Sequence, residues 1–129
     1  MTGERVRAIR GATSVGHDAP EQIIDATIEL VQELLDRNGL SADDLISMVF
    51  TLTTDLQSEF PAVAARQLGL SAVPLLCAQE IPVPGSLEKC IRVLVHCYAP
   101  AARVIRHVYL HEARRLRLDL IEDPADDSA

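Results

Sequence analysis

Between Asp18 and Gly39 the sequence holds one bounded amphipathic helix, with short apolar runs on both sides, and this element restricts what the chain can fold into. Ile23, Ile24, Thr27, Ile28, Leu30, Val31, Leu34 and Leu35 recur at helical spacing, while Asp25, Glu29, Glu33 and Asp36 fall mostly on the other side. Asp18 is placed to accept from the exposed first amides, Pro20 suits the first turn, and Glu21 occupies the capping-box position. Asn38-Gly39 is a stop signal. A helix with a single apolar stripe must lay it on a sheet or on other helices.

The rest of the chain supplies the sheet. Val6 to Thr13 reads as a strand, with Gly11 closing it. Ser41-Ala42-Asp43-Asp44 caps a short turn. Leu45 to Thr53 then alternates Ile46, Met48, Phe50 and Leu52 against Ser47, Val49, Thr51 and Thr53, the pattern of a half-buried strand. Pro61 to Leu68 is a short helix bounded by Pro61 and Gly69. Val73 to Ile81 is a strand broken by Pro82-Val83-Pro84-Gly85. Cys90 to Tyr98 is apolar apart from Arg92 and His96, as a central strand is, and Val104 to Leu110 is a further strand. His111 to Leu116 makes one helical turn. The order β-α-β-α-β-β-β predicts an α+β domain, a mixed sheet with helices on one face. Aromatic residues are only 3% of the 129, so Ile, Leu, Val and Ala must build the core. So small a chain with short apolar strands favours assembly, with other subunits covering the second sheet face. Residues 1–117 form one domain and 118–129 a mobile tail.

Charge and cysteine content narrow the function classes. The net charge is -7, and the bases are eleven Arg and Lys89. Asp119, Glu122, Asp123, Asp126 and Asp127 follow Arg117 with no base among them, so the tail is acidic and the body nearly neutral. No basic stripe is available for phosphates, which disfavours nucleic-acid binding. A site for a small anion depends only on local arginines and stays open. No apolar run approaches the ~20 residues of a membrane span, and Met1-Thr2-Gly3-Glu4-Arg5 has no apolar leader core. The expectation is a cytoplasmic protein with no membrane partner. Cys77, Cys90 and Cys97 are odd in number and read as reduced thiols. Their spacing, even with His96, lacks a zinc pattern, so no metal is expected.

Two charges interrupt apolar strands, Arg92 and Glu80. Desolvating an ion costs several kcal/mol, roughly, unless it is paired or meets a ligand. A structural ion pair and a binding site are both consistent with these two residues. In Arg10-Gly11-Ala12-Thr13, a sharp turn at Gly11 would present the Arg10 guanidinium to an anion, although a surface arginine before a turn is the simpler explanation. Arg106, Val108 and Leu110 share one strand face, and His107 and Tyr109 the other. Tyr109 can donate to a carboxylate. No Ser or Cys is spaced as a nucleophile for His107, which reads as structural. A phosphate-binding loop and a dinucleotide fingerprint are both missing. This inventory suits binding a small polyanion better than nucleophilic or metal catalysis.

Four blocks resemble the AroH-class chorismate mutases in order and spacing. They are Val6-Arg7-Ala8-Ile9-Arg10-Gly11-Ala12-Thr13, Cys77-Ala78-Gln79-Glu80, Lys89-Cys90-Ile91-Arg92-Val93 and Arg106-His107-Val108-Tyr109-Leu110. The Thr54-Asp55-Leu56 and Glu59-Phe60-Pro61-Ala62 segments fit as well, so the likeness runs from about Val6 to Leu120. The resemblance implies a mixed five-stranded sheet with helices on one side. It also implies a pseudo-α/β-barrel homotrimer with active sites at subunit clefts, and the rearrangement of chorismate to prephenate in the shikimate route to Phe and Tyr, without cofactor or metal.

Residue roles follow from the same resemblance. Arg92 would donate to the ether oxygen and the side-chain carboxylate of the substrate. Glu80 would accept from the substrate hydroxyl, with Cys77 nearby. Arg10 and Tyr109 would bind the side-chain carboxylate. Phe60 would pack against the substrate from the neighbouring subunit, and Arg66 would meet the ring carboxylate near the mouth. Leu116 and Arg117 would help close the site. Three positions depart from the pattern: Val63 where relatives can carry Lys, Leu76 for a small polar residue, and Leu118 for the usual Pro. Two rivals are a reactive-imine deaminase of related trimeric shape, against which the Cys77 and Arg106 blocks argue, and a non-catalytic sensor module for an aromatic-pathway acid.

Overall fold

The structure is a computed structural model and describes residues 3–117, with the backbone alone at Arg117. Leu118 and the expected acidic tail lie outside the described residues. The elements are β1 (Glu4–Ser14), α1 (Pro20–Asn38), a 3-10 turn (Ala42–Asp44), β2 (Leu45–Leu52) and α2 (Pro61–Gln67). β3 (Leu75–Gln79), β4 (Cys90–Pro100), β5 (Val108–Tyr109), a second 3-10 turn (His111–Ala113) and α3 (Arg114–Arg117) follow. Among the described residues the strands form one mixed sheet in the order β3-β2-β4-β1-β5. β4 is central, as its apolar sequence requires, and runs antiparallel to β1 and β2. β3 and β5 pair parallel with β2 and β1 at the edges.

Both longer helices cover the same sheet face. Leu30, Val31 and Leu34 of α1 and Ala65 of α2 pack on Ile9, Met48, Phe50, Val93 and Val95, all buried. This is the α+β layering that the helical stripe predicts. Burying such aliphatic side chains supplies most of the driving force for folding, at about 25 cal/mol for each Å² of apolar surface removed from water.

Gly11 does not close β1. The strand runs through it to Ser14, pairing Gly11 with Val93 and with Val108. The glycine serves close packing: a Cβ there would lie 3.1 Å from Leu30 Cδ1 and 3.2 Å from Leu34 Cδ1 and Val93 Cγ1. The helix can approach the sheet only because that atom is missing.

The helix ends also differ from expectation at one side. Asp18 does not cap α1; the cap position is Ala19, with no side-chain hydrogen bond. The Asp18 carboxylate instead accepts the amides of Gln57 and Ser58, each at 3.0 Å, and ties the loop after β2 to the start of α1. Hydrogen bonding from Ser58 holds this carboxyl below its ordinary pKa. The other end behaves as read. Gly39 sits at φ 64, its amide returns to Asp36, and Leu40 N–H donates to the Leu35 carbonyl.

The last strand is shorter than its apolar pattern. Only Val108–Tyr109 pairs, and the backbone of Arg106 just before it is held by a side chain. Asn38 Oδ1 accepts the Arg106 amide at 2.8 Å, and Asn38 Nδ2 donates to the Arg106 carbonyl at 2.9 Å. His107 Nδ1 accepts the Arg10 amide at 3.0 Å. A buried asparagine and a histidine ring thus stand in for strand partners, which hydropathy patterning cannot express. The structural role read for His107 agrees with this bond. β3 is likewise trimmed to Leu75–Gln79 from the expected Val73 to Ile81.

The second sheet face carries no helix. Val6, Leu76, Leu94 and Tyr98 stand exposed on it. Only its far end is covered, where Leu116 and Leu87 pack with Ala12, Cys90, Tyr109 and Ala113.

Candidate active site

The helix-free face gathers the charged residues. On β4, Arg92 stands opposite Ala12 of β1 and Thr51 of β2, and Ala12 stands opposite Tyr109 of β5. Strand alternation therefore lines Tyr109, Ala12, Arg92 and Thr51 in one row across the sheet. Arg10 lies one row along, opposite Leu94. These side chains and Leu116 wall a cleft of about 470 Å³. Arg10 is mid-strand and reaches the cleft through alternation, where a turn at Gly11 was expected to present it.

Glu80 joins the row from just beyond β3. Its amide donates to the Leu52 carbonyl at 2.8 Å, which holds the residue beside the end of β2. Its Oε2 accepts the Thr51 hydroxyl at 2.6 Å and lies 3.0 Å from Arg92 Nε. The side chains are 17% exposed for Glu80 and 41% for Arg92, so water screens the pair only in part. The distance makes an ion pair, yet the Nε–H is not directed along it. Buried Arg92 Nε meets no hydrogen-bond acceptor among the described residues. A native donor rarely stays unmatched, because an unsatisfied buried group costs about 1–3 kcal/mol. The two charges pair, as the structural reading expects, and Arg92 also lines an open cleft.

Cys90 sits behind this row and is fully buried. Burial pushes its thiol up to about 11, with the Arg92 charge opposing. It stays protonated at neutral pH and is a packing residue here. Among the described residues, no group of three or more His, Cys, Asp or Glu converges to hold a metal ion.

One chain brings together only part of the expected set. Arg10, Arg92, Tyr109 and Leu116 line the cleft and Glu80 contacts Arg92. Cys77 packs toward the helix-covered core, on the opposite face. Phe60 is 65% exposed at the start of α2, and Arg66 is exposed on that helix. The side chain of Arg117 lies outside the described residues. Thr51 escaped the sequence reading. Its place on the polar side of β2 was visible, but the register that sets it beside Arg92 and Glu80 was not.

A larger hollow of about 610 Å³ opens nearby, between the 81–89 loop and Glu112. Its wall mixes Asp55, Glu80, Glu88 and Glu112 with Lys89 and Arg115. Like-charge repulsion from four carboxylates makes it a poor seat for an anion. The smaller cleft has Arg10, Arg92 and Tyr109, and no carboxylate on its wall. It is suited to a compact dianion and to a donor poised over developing negative charge.

Comparison with known proteins agrees with this geometry. Residues 6–120 match the family model described as chorismate mutase type I. The chain is 55% identical over 118 residues to chorismate mutase AroH of Thermus thermophilus, covering 89% of this chain and 96% of that protein. It is 41% identical over 117 residues to chorismate mutase AroH of Bacillus subtilis strain 168, covering 89% and 92%. Among solved structures, a chorismate mutase from Clostridium thermocellum superposes with a TM-score of 0.82 at 47% identity, covering 84% of this chain and 98% of that one.

Proposed function

The chain belongs to the chorismate mutase type I family, and we propose that the Arg92 cleft is where it rearranges chorismate to prephenate. The reaction is an isomerisation: one C–O bond breaks, one C–C bond forms, and every atom is kept. It is intramolecular and needs neither nucleophile nor proton transfer. What the protein must supply is a compact substrate conformer and stabilisation of charge in the transition state.

The observation that carries the assignment is the Arg92 guanidinium, paired with Glu80 and standing with Arg10 and Tyr109 on a cleft wall that bears no carboxylate. As the C–O bond lengthens, negative charge grows on the ether oxygen. Arg92 donates to it from a position fixed before reaction, so little reorganisation is needed. A forked, always-charged guanidinium reaches this oxygen and a neighbouring carboxylate together, which an ammonium cannot match. Glu80 accepts from the ring hydroxyl. Arg10 and Tyr109 take the side-chain carboxylate, and Leu116 closes one side of the site.

Phe60 and Arg66 stand away from the cleft of their own chain; in this reading Phe60 packs against the substrate from a neighbouring subunit and Arg66 meets the ring carboxylate near the mouth, while the core-facing Cys77 side chain takes no part. The helix-free face, with Val6, Leu76, Leu94 and Tyr98 exposed, supports a homotrimer assembled through it. No helix among the described residues is long and apolar enough to cross a membrane. A cytoplasmic location belongs to the same proposal and is tested by cell fractionation.

Purified protein incubated with chorismate tests the function. Loss of substrate absorbance should be matched by prephenate, without added metal. Binding of chorismate with no turnover would move the protein to the sensor reading, which the relatives do not favour.

A further inference from the structure

We propose that Thr51 is the positioning residue of this site: its hydroxyl fixes the Glu80 carboxylate, and through it the Arg92 guanidinium. The inference rests on the assignment of chorismate rearrangement to the Arg92 cleft and deepens it.

Thr51 stands in register with Arg92 on one side and with Ala78 on the other, so its side chain points to the face that carries the cleft. Its Oγ1 donates to Glu80 Oε2 at 2.6 Å, the short distance of a hydrogen bond to a charged acceptor. The same oxygen lies 3.0 Å from Arg92 Nε. One carboxylate oxygen is therefore held between the hydroxyl and the guanidinium. Glu80 follows the end of β3, where its amide donates a hydrogen bond to the Leu52 carbonyl and anchors its backbone to the sheet. Its side chain needs a second anchor to keep one rotamer, and Thr51 provides it. Being β-branched, Thr51 has few χ1 choices in a strand and can hold the hydroxyl in place at small entropic cost.

The hydroxyl acts at one remove from the substrate. Losing it lets the carboxylate turn, and the Arg92 fork turns with it. The ground-state grip on the side-chain carboxylate, which Arg92 shares with Arg10 and Tyr109, keeps those two partners. The loss should therefore fall on kcat more than on KM.

Thr51→Val keeps the shape and removes the donor, while Thr51→Ser keeps the donor and removes the methyl. With chorismate as substrate, Thr51→Val should lower kcat about tenfold, the size of one hydrogen bond to a charged group, with KM within about threefold. Thr51→Ser should return kcat to within about threefold of the parent. Thr51→Ala repeats the comparison should the valine variant not fold. Equal kcat in the Val, Ala and parent proteins would overturn the proposal, as would a loss confined to KM or a serine variant as impaired as the valine. Arg92→Ala is assayed alongside. If that variant keeps parental turnover, the cleft assignment itself fails; if it is inactive while Thr51→Val is unimpaired, only the role of Thr51 fails.

Discussion

At the scale of single residues, the site depends on where polar atoms lack or share partners. Arg92 and Glu80 were legible as charges inside apolar runs, because an ion in a strand is costly and seldom idle. Their contact, and the third member Thr51, were not legible, since both depend on the β2–β4 register. Cys90 shows how burial alone sets chemistry. In the fold its thiol holds its proton to about 11, against an ordinary 9.0. Between those values an unfolded chain loses the proton and the folded chain does not. Unfolding then releases a proton, so stability falls as pH rises from about 9 to about 11, by roughly 2–3 kcal/mol for this group. Urea unfolding across that range should show the slope, and Cys90→Ala should flatten it relative to the parent. Parallel slopes in the two proteins would refute the link to Cys90.

At the scale of elements, α1 was the clearest part of the sequence, because periodicity and a glycine stop agree there. Its start was misread at Asp18, whose partners Gln57 and Ser58 lie far along the chain. The trimmed β5 has a similar cause. Asn38 gives up an exposed helix-end role to bind Leu34 O and both backbone groups of Arg106. No propensity scale anticipates a side chain that replaces a strand. Asn38→Ala should cost about 2–3 kcal/mol in chemical unfolding, because two partly buried backbone groups lose their partners. It should also weaken turnover, since Arg106 leads directly into His107 and Tyr109. A stability change under about 0.5 kcal/mol would contradict the bridging role.

At the scale of the whole molecule, the helix layer covers one sheet face and leaves Val6, Leu76, Leu94 and Tyr98 on the other. The single helical stripe and the short apolar strands made a second face in need of cover legible in sequence, while a trimer as its cover was reached only by resemblance. Sedimentation should give three times the chain mass. Val6→Glu, which buries a charge in the proposed interface away from the cleft wall, should yield a smaller species and remove activity with it. A fully active monomer would break the shared-site reading. The cleft assignment is decided by steady-state turnover of chorismate by the parent protein, Arg92→Ala and Arg92→Lys, all shown to be folded. Removing one preorganised donor to developing charge costs roughly 10²–10³ in rate, so the alanine variant should lose at least about that in kcat and the lysine variant should not recover it. An Arg92→Ala protein turning over chorismate at the parental rate would contradict the mechanism.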